Sequence, residues 1–93
     1  KKGEVLPAKV RLTSYPNPVG QQGTVEYALP EESDVTLRVY DVLGREVATL
    51  ARGRKAAGRH TVQLSTDQLS SGVYFGRLQA GDQTRTLKIT VVR

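Results

Sequence analysis

The chain has 93 residues, and its 14 Lys and Arg against nine Asp and Glu give a formal net charge of +5. A chain of this length forms one domain with a modest core, and no apolar run approaches the roughly 20 residues that a transmembrane helix needs. Cys is absent, which excludes a disulfide framework, a thiolate nucleophile and a cysteine metal site.

The predicted elements are a linker followed by seven strands. Residues 1–8 contain two Lys, a Gly and a Pro among few large apolar residues, which indicates a linker from an upstream segment ahead of a domain over residues 9–93. Because Met is absent, we expect a fragment or a processed product of a longer protein. Alternating segments separated by turn residues about every ten positions predict strands at 9–13, 24–29, 35–40, 46–51, 59–65, 72–80 and 84–92.

Individual segments carry different signals. The alternation is clearest in residues 35–40, where Val35, Leu37 and Val39 are predicted to face inward. Val47 and Leu50 lie three residues apart, which predicts a bulge or an irregular register in the fourth strand. The segment from Arg52 to Gly58 is predicted to be a basic loop, and Gly81-Asp82 a tight hairpin turn before the last strand.

Seven strands over about 85 residues predict an immunoglobulin-like or fibronectin-like antiparallel β-sandwich. The segment from Leu69 to Tyr74 resembles a tyrosine corner, in which the ring packs in the core and the hydroxyl bonds to upstream backbone. We therefore expect Tyr74 and Leu78 to be buried.

Residue types suited to catalysis are scarce. His60 is the only imidazole, and its alternation with Val62 and Leu64 favours a partly buried strand residue over a catalytic base. The acidic residues between Glu31 and Asp34 lack the spacing of a calcium loop and are typical of a hydrated turn. We expect no enzymatic activity, no metal and no cofactor. The basic segment from Arg45 to Arg59 is either a docking patch for an anion or a solvated hairpin.

Five motifs follow one another along the chain: Tyr15-Pro16-Asn17-Pro18, Thr24–Pro30, Val39–Val47, Ala57–His60 and Leu69–Phe75. Together they resemble the C-terminal sorting domain of proteins that are exported by the bacterial type IX secretion system. The similarity runs from about Val10 to Arg93, which is nearly the whole chain.

This resemblance implies an immunoglobulin-like sandwich that directs a covalently attached cargo from the periplasm across the outer membrane, to the cell surface or the extracellular space. In such proteins, a sortase-like peptidase commonly removes the domain and links the cargo to an anionic lipopolysaccharide. The cut would then fall in or just before Lys1–Ala8. We expect no nucleic-acid partner.

The resemblance also implies recognition through the terminal strand, at Thr86, Lys88, Ile89, Val91 and Arg93. An exposed final strand presents unpaired backbone groups to the sheet edge of a partner, which is one physical basis for such recognition. The other motif residues are expected to be mostly structural: Tyr15, Pro16, Asn17, Pro18, Asp41, Gly44, Gly58, Leu69, Gly72 and Tyr74.

Two other functions compete with this one. A carbohydrate-binding or spacer module of a secreted enzyme is the main alternative, but the chain has no Trp and its tyrosines are scattered. A nucleic-acid-binding module is supported by the net charge alone.

Overall fold

A computed structural model describes residues 6–93, and within this range the backbone forms seven β-strands and no helix. The strands are β1 (Arg11–Tyr15), β2 (Gln22–Leu29), β3 (Ser33–Tyr40), β4 (Glu46–Lys55), β5 (Gly58–Ser65), β6 (Gly72–Ala80) and β7 (Gln83–Val91). The first five residues of the predicted linker lie outside the described range. A search of residues 6–93 finds no helix with the length and hydropathy to span a membrane.

The strands form two antiparallel sheets. Sheet A has the order β1-β2-β5, and sheet B has the order β4-β3-β6-β7. The chain changes sheet after β2, after β4 and after β5, and the buried apolar residues of both sheets form one cluster. This arrangement confirms the predicted seven-stranded antiparallel sandwich of the immunoglobulin-like kind.

Alternate residues of each strand build the core. In β3, Val35, Leu37 and Val39 are buried while the residues between them are partly exposed, as predicted. Sheet A adds Val25, Tyr27, Leu29 and Leu64, and the strands β6 and β7 of sheet B add Tyr74, Leu78, Ile89 and Val91. Each large aliphatic side chain stabilises the fold by about 1.5–3 kcal/mol when fully buried, so this cluster holds the two sheets together.

The predicted bounds of the first strand, residues 9–13, are wrong. β1 spans Arg11–Tyr15, because Tyr15 still pairs with Thr24 of β2 and the ladder ends only at Pro16, which has no N–H to donate. Val10 precedes the strand and is nevertheless buried.

The predicted basic loop from Arg52 to Gly58 is also wrong. Arg52–Lys55 continue β4 and pair with residues 33–36 of β3, which leaves only Ala56 and Ala57 between β4 and β5. Arg, Gly and Lys do not favour strands by themselves, so pairing with a neighbouring strand overrides the local preference here. Gly53 adopts a φ of 112°, which a residue without a Cβ accepts readily.

Two other local predictions are confirmed. The β3–β4 ladder shifts register twice, once at Leu50 and once at Val47, so that β4 carries an extra residue at each shift. The last two strands form a hairpin in which Ala80 pairs with Gln83 across a two-residue turn, and Gly81 has a φ of 61°.

Candidate recognition surface at the terminal strand

β7 lies at the edge of sheet B, and within residues 6–93 β6 is its only partner strand. The carbonyl oxygen of Thr90 accepts a hydrogen bond from Val19, so the backbone groups of Thr90 point away from β6. Since these directions alternate along an antiparallel strand, the backbone groups of Thr86 and Lys88 also point outward. They have no backbone partner in the described part of the chain.

Val19 covers the far end of this edge. Its N–H donates to the carbonyl oxygen of Thr90 at 2.8 Å, and its own carbonyl accepts from the N–H of Val92 at 2.9 Å. These bonds form an isolated parallel bridge with Val91, and the Val19 side chain is only 1% exposed. The segment Tyr15-Pro16-Asn17-Pro18 therefore carries the chain from sheet A to the edge of sheet B.

Sequence reasoning missed Val19. The available signal was a single apolar residue within an otherwise polar loop rich in Pro and Gly. Its partner on β7 is distant in the sequence, so no local pattern links the two.

The side chains of the predicted recognition residues on β7 divide into two groups. Thr86 and Lys88 are exposed on the outer face of sheet B. Ile89 and Val91 are 0% and 1% exposed and belong to the core. A protein that binds the folded domain can therefore contact the first two side chains but not the other two.

Arg93 is bonded to the segment that precedes β6. Its Nη1 donates to the carbonyl oxygens of Asp67 and Leu69, at 3.2 and 3.1 Å. Its backbone N–H donates to Oγ of Ser71 at 2.9 Å. These bonds fasten the chain after β7 to the connection between β5 and β6.

Tyr74 forms the predicted tyrosine corner in that connection. Its hydroxyl donates to the carbonyl oxygen of Ser70 at 2.7 Å. Its ring is 8% exposed, and Leu69 and Leu78 are buried beside it in the same core cluster, as predicted for Tyr74 and Leu78. The corner therefore connects the entry into β6 with the core.

Asp41 organises the loop between β3 and β4. Its Oδ1 accepts from the N–H groups of Leu43 and Arg45, both at 2.9 Å, and its Oδ2 accepts from Nε of Arg45 at 2.9 Å. Gly44 completes the turn with a φ of 83°. The hydrogen bond from the Arg45 N–H is the main cause that lowers the pKa of Asp41, and the Arg45 side chain and the Leu43 N–H lower it further.

Several of the sequence motifs meet at one end of the sandwich. The loop at Asp41 and the residues 70–74 line a common groove of about 280 Å³. Val19, which follows the proline motif, and Arg93 both contact backbone near this end. Gly58 lies at the opposite end of sheet A, where it pairs with Leu29.

His60 is a partly buried residue of β5, as predicted. Its ring stacks on Tyr27 with centroids 5.0 Å apart, and its Nε2 lies 2.8 Å from the carbonyl oxygen of Ala56. Burial raises the pKa of the Tyr27 hydroxyl. Residues 6–93 contain no group of three or more His, Cys, Asp or Glu side chains that could hold a metal.

The four tyrosines do not share one exposed face. Tyr27 and Tyr74 are buried, Tyr15 lies in sheet A and Tyr40 in sheet B. A row of exposed tyrosines, on which a polysaccharide could stack, is not formed. The carbohydrate-binding alternative gains no support from this arrangement.

Comparison with protein families matches residues 13–92 to the secretion system C-terminal sorting domain, and the match includes all of β2 to β7. No curated protein matches the chain. Domains of this kind are attached to a cargo and recognised by the type IX secretion machinery. The chain therefore belongs to the secretion system C-terminal sorting domain family, and it is a sorting signal for type IX secretion that leads its cargo to the cell surface or the extracellular space.

Proposed function

We propose that this domain is a non-catalytic signal that the secretion machinery reads through the free edge of β7 while the cargo passes from the periplasm across the outer membrane. One observation carries the proposal: the backbone groups of Thr86 and Lys88 point away from β6 and are free of backbone partners within residues 6–93. An extended receptor segment can add to such an edge through main-chain hydrogen bonds. Because main-chain bonds tolerate varied sequences, this mode suits a channel that serves many cargos.

Val19 determines how much of the edge the receptor can use. It occupies the carbonyl of Thr90 and the N–H of Val92, so a receptor strand would pair only with the part of β7 that precedes Thr90. The proline motif at residues 15–18 acts in this proposal by holding Val19 in place.

The five predicted recognition residues receive different roles. Thr86 and Lys88 contact the receptor, since both are exposed at the free edge. Ile89 and Val91 hold β7 on the core, and Arg93 fastens the end of the chain to the tyrosine corner. The remaining motif residues support the fold.

We assign residues 1–8 as the link to the cargo. A sortase-like peptidase would cut in or just before this segment and transfer the cargo to an anionic lipopolysaccharide. Residues 6–8 support this assignment because they form no strand, and Leu6 and Ala8 are exposed. A peptidase needs such an accessible stretch of chain.

The absence of catalysis in this proposal is supported by His60, whose ring nitrogen is engaged with a backbone carbonyl rather than with a nucleophile. A nucleic-acid partner is not part of the proposal, because single-stranded nucleic acid binding relies on several aromatic platforms beside the positive charge. Tyr27 and Tyr74 are buried and cannot serve as such platforms.

The experiment tests whether export requires the free edge of β7. Residues 1–93 are fused to the C-terminus of a periplasmic reporter, and the fusion is expressed in a type IX-competent strain. In Lys88→Pro, the outward N–H is removed while the hydrogen bonds to β6 remain, which edge strands tolerate. In the matched control Lys88→Thr, the side chain is shortened and the N–H is kept. We expect Lys88→Pro to leave the reporter in the periplasm and Lys88→Thr to be exported.

Circular dichroism melting of the purified variants shows whether each one folds, and Thr86→Pro serves as a second test of the same edge if Lys88→Pro does not fold. Normal export of a folded proline variant would contradict main-chain recognition. Loss of export in both variants, when both are folded, would indicate that the receptor recognises the Lys88 side chain, which both variants lack.

A further inference from the structure

Two arginines lie directly opposite each other on the outer face of sheet B. Arg38 of β3 pairs in register with Arg77 of β6, and both alternate with buried residues. Side chains at directly opposed positions have Cβ atoms about 4.5–5.5 Å apart, where like charges repel each other. The register therefore places two arginine side chains next to each other on this face.

Neither guanidinium is fully satisfied within the described part of the chain. Arg38 forms an ion pair with Glu46 at 3.6 Å, but within residues 6–93 its solvent-inaccessible Nε has no hydrogen-bond partner. Arg77 forms no ion pair with any residue of 6–93 and is exposed. By contrast, Arg54 on β4 is paired with carboxylates of Glu32 and Asp34.

The surrounding face is also positive. The register places Arg52 beside Thr36, and Lys88 beside Phe75, on the same outer face as the arginine pair. The carboxylates at the paired positions of this face are Asp34, opposite Arg54, and Glu46, opposite Tyr40. The paired positions of the outer face of sheet B therefore carry five cations against two carboxylates, and the cations are Arg38, Arg52, Arg54, Arg77 and Lys88.

An apolar groove adjoins the arginine pair. Tyr40 and Phe75 are cross-strand neighbours, and with Val42, Arg77 and Thr86 they line a groove of about 350 Å³. Asp41 also lines the groove, and its carboxylate is bonded to N–H groups of its own loop. Val42 is 68% exposed and Phe75 is 37% exposed. A large apolar side chain fits within such a volume, and a charged group beside it would reach Arg77.

We propose that this face, which comprises Arg38, Arg77, Lys88, Tyr40, Phe75 and Val42, binds an acidic polypeptide segment of a partner protein. Carboxylates of the segment bond to the two guanidinium groups, whose planar forks match carboxylate geometry. A neighbouring apolar side chain of the segment enters the groove. The aliphatic wall at Val42 and the single aromatic pair favour a polypeptide over a nucleic acid or a glycan, which stack on successive flat aromatic faces.

This face includes Thr86 and Lys88, which also belong to the edge of β7 described above, but it binds through side chains, whereas the edge binds through main-chain groups. Binding at the face and export through the edge are measured by different experiments. A negative result in the binding experiment therefore does not contradict the proposal about export, and a negative result in the export experiment does not contradict the proposal about binding.

The test is a titration of the isotope-labelled chain with a soluble peptide of roughly ten residues in which Glu and Val alternate, followed by backbone amide NMR. We expect shifts at Tyr40, Phe75, Arg77 and Thr86 that saturate. The double variant Arg38→Gln/Arg77→Gln should bind at least about tenfold more weakly, since charge-assisted hydrogen bonds are roughly twice as strong as neutral ones.

The matched control is Arg11→Gln/Arg59→Gln. It removes the same charge from the outer face of sheet A, where both residues pair with Ala28. The control should bind the peptide within about twofold of the unaltered chain. Equal weakening in the two double variants would overturn the proposal in favour of a general charge effect.

Two further probes test the class of partner. A matched peptide of alternating Lys and Val should not bind, and single-stranded DNA or a sulfated polysaccharide should bind more weakly than the acidic peptide at physiological salt. Tighter binding of either polyanion to the same residues would overturn the polypeptide assignment. Thermal melting of each variant shows that the fold is retained, and the exposed single variant Arg77→Gln repeats the test if the double variant is unfolded.

Discussion

The hydroxyl of Tyr74 bonds to the carbonyl oxygen of Ser70, four residues earlier, at 2.7 Å. The Ser70 carbonyl lies in the connection that carries the chain from sheet A to sheet B, and Arg93 bonds to two other carbonyls of the same connection. One short segment thus receives hydrogen bonds from both the start of β6 and the residue that follows Val92. Substitutions at Tyr74 therefore measure how much this segment contributes to the free energy of unfolding.

Tyr74→Phe should lower the free energy of unfolding by about 1 kcal/mol, because it removes one hydrogen bond and keeps the buried ring. Tyr74→Ala should lower it by about 3–5 kcal/mol, because it also leaves a cavity. Urea unfolding monitored by circular dichroism measures both values. Equal stability of Tyr74→Phe and the unaltered chain would mean that the hydroxyl contributes nothing to the corner.

Gly23 should not accept a larger residue while Val19 is present. A Cβ at Gly23 would lie 2.8 Å from Cγ1 of Val19, whose branched side chain is buried and stiff. Gly23→Ala should therefore cost about 1–3 kcal/mol through overpacking, and Val19→Ala roughly 2 kcal/mol through a cavity.

The double variant Gly23→Ala/Val19→Ala tests whether the two residues are coupled. The new methyl group would fill part of the space that Val19 leaves, so the combined loss should be smaller than the sum by at least about 1 kcal/mol. If the two losses of unfolding free energy measured in urea were strictly additive, the side chains at these two positions would not interact sterically.

The loop at Asp41 should make the stability of the domain sensitive to acid. The pKa of Asp41 is lowered below its ordinary value of 3.8, so its contribution to stability is complete above that value and is lost as the pH falls through the lower pKa of the folded state. In Asp41→Asn this contribution is absent at every pH. The difference in unfolding free energy between the two proteins should be constant above about pH 5 and should shrink below 3.8. A difference that grows as the pH falls would mean that folding raises the pKa of Asp41.

Arg77→Gln should raise the free energy of unfolding by about 0.2–1 kcal/mol, because it removes the repulsion from Arg38 on the paired strand. The comparison is Arg59→Gln, which breaks an ion pair with Glu26 at 3.4 Å and should lower stability by up to about 1 kcal/mol. Thermal melting at low and high salt measures both, and added salt should reduce both effects. A fall in stability for Arg77→Gln would show that Arg77 supports the fold.

Local alternation was sufficient to predict most of the architecture. Residues 35–40 alternate because one face meets the core, and Val47 and Leu50 interrupt that pattern because the ladder contains bulges. The Leu69–Tyr74 segment also predicts the corner, since the hydroxyl and its acceptor lie on one turn.

Contacts between distant residues account for the failures. Arg52–Lys55 resemble a loop in isolation, and only their pairing with β3 makes them a strand. Val19 bonds to β7 from a loop near the other end of the chain. The opposition of Arg38 and Arg77 depends on the register of two strands separated by two others in sequence. Patterns within a short window cannot report any of these relationships.

The buried positions of Ile89 and Val91 make the fold of the domain depend on its last strand. A ribosome makes β7 after the six other strands, and without those two side chains the sandwich lacks part of its hydrophobic interior. A polypeptide that is terminated early or cleaved before β7 therefore lacks two side chains of the interior and cannot complete the sandwich.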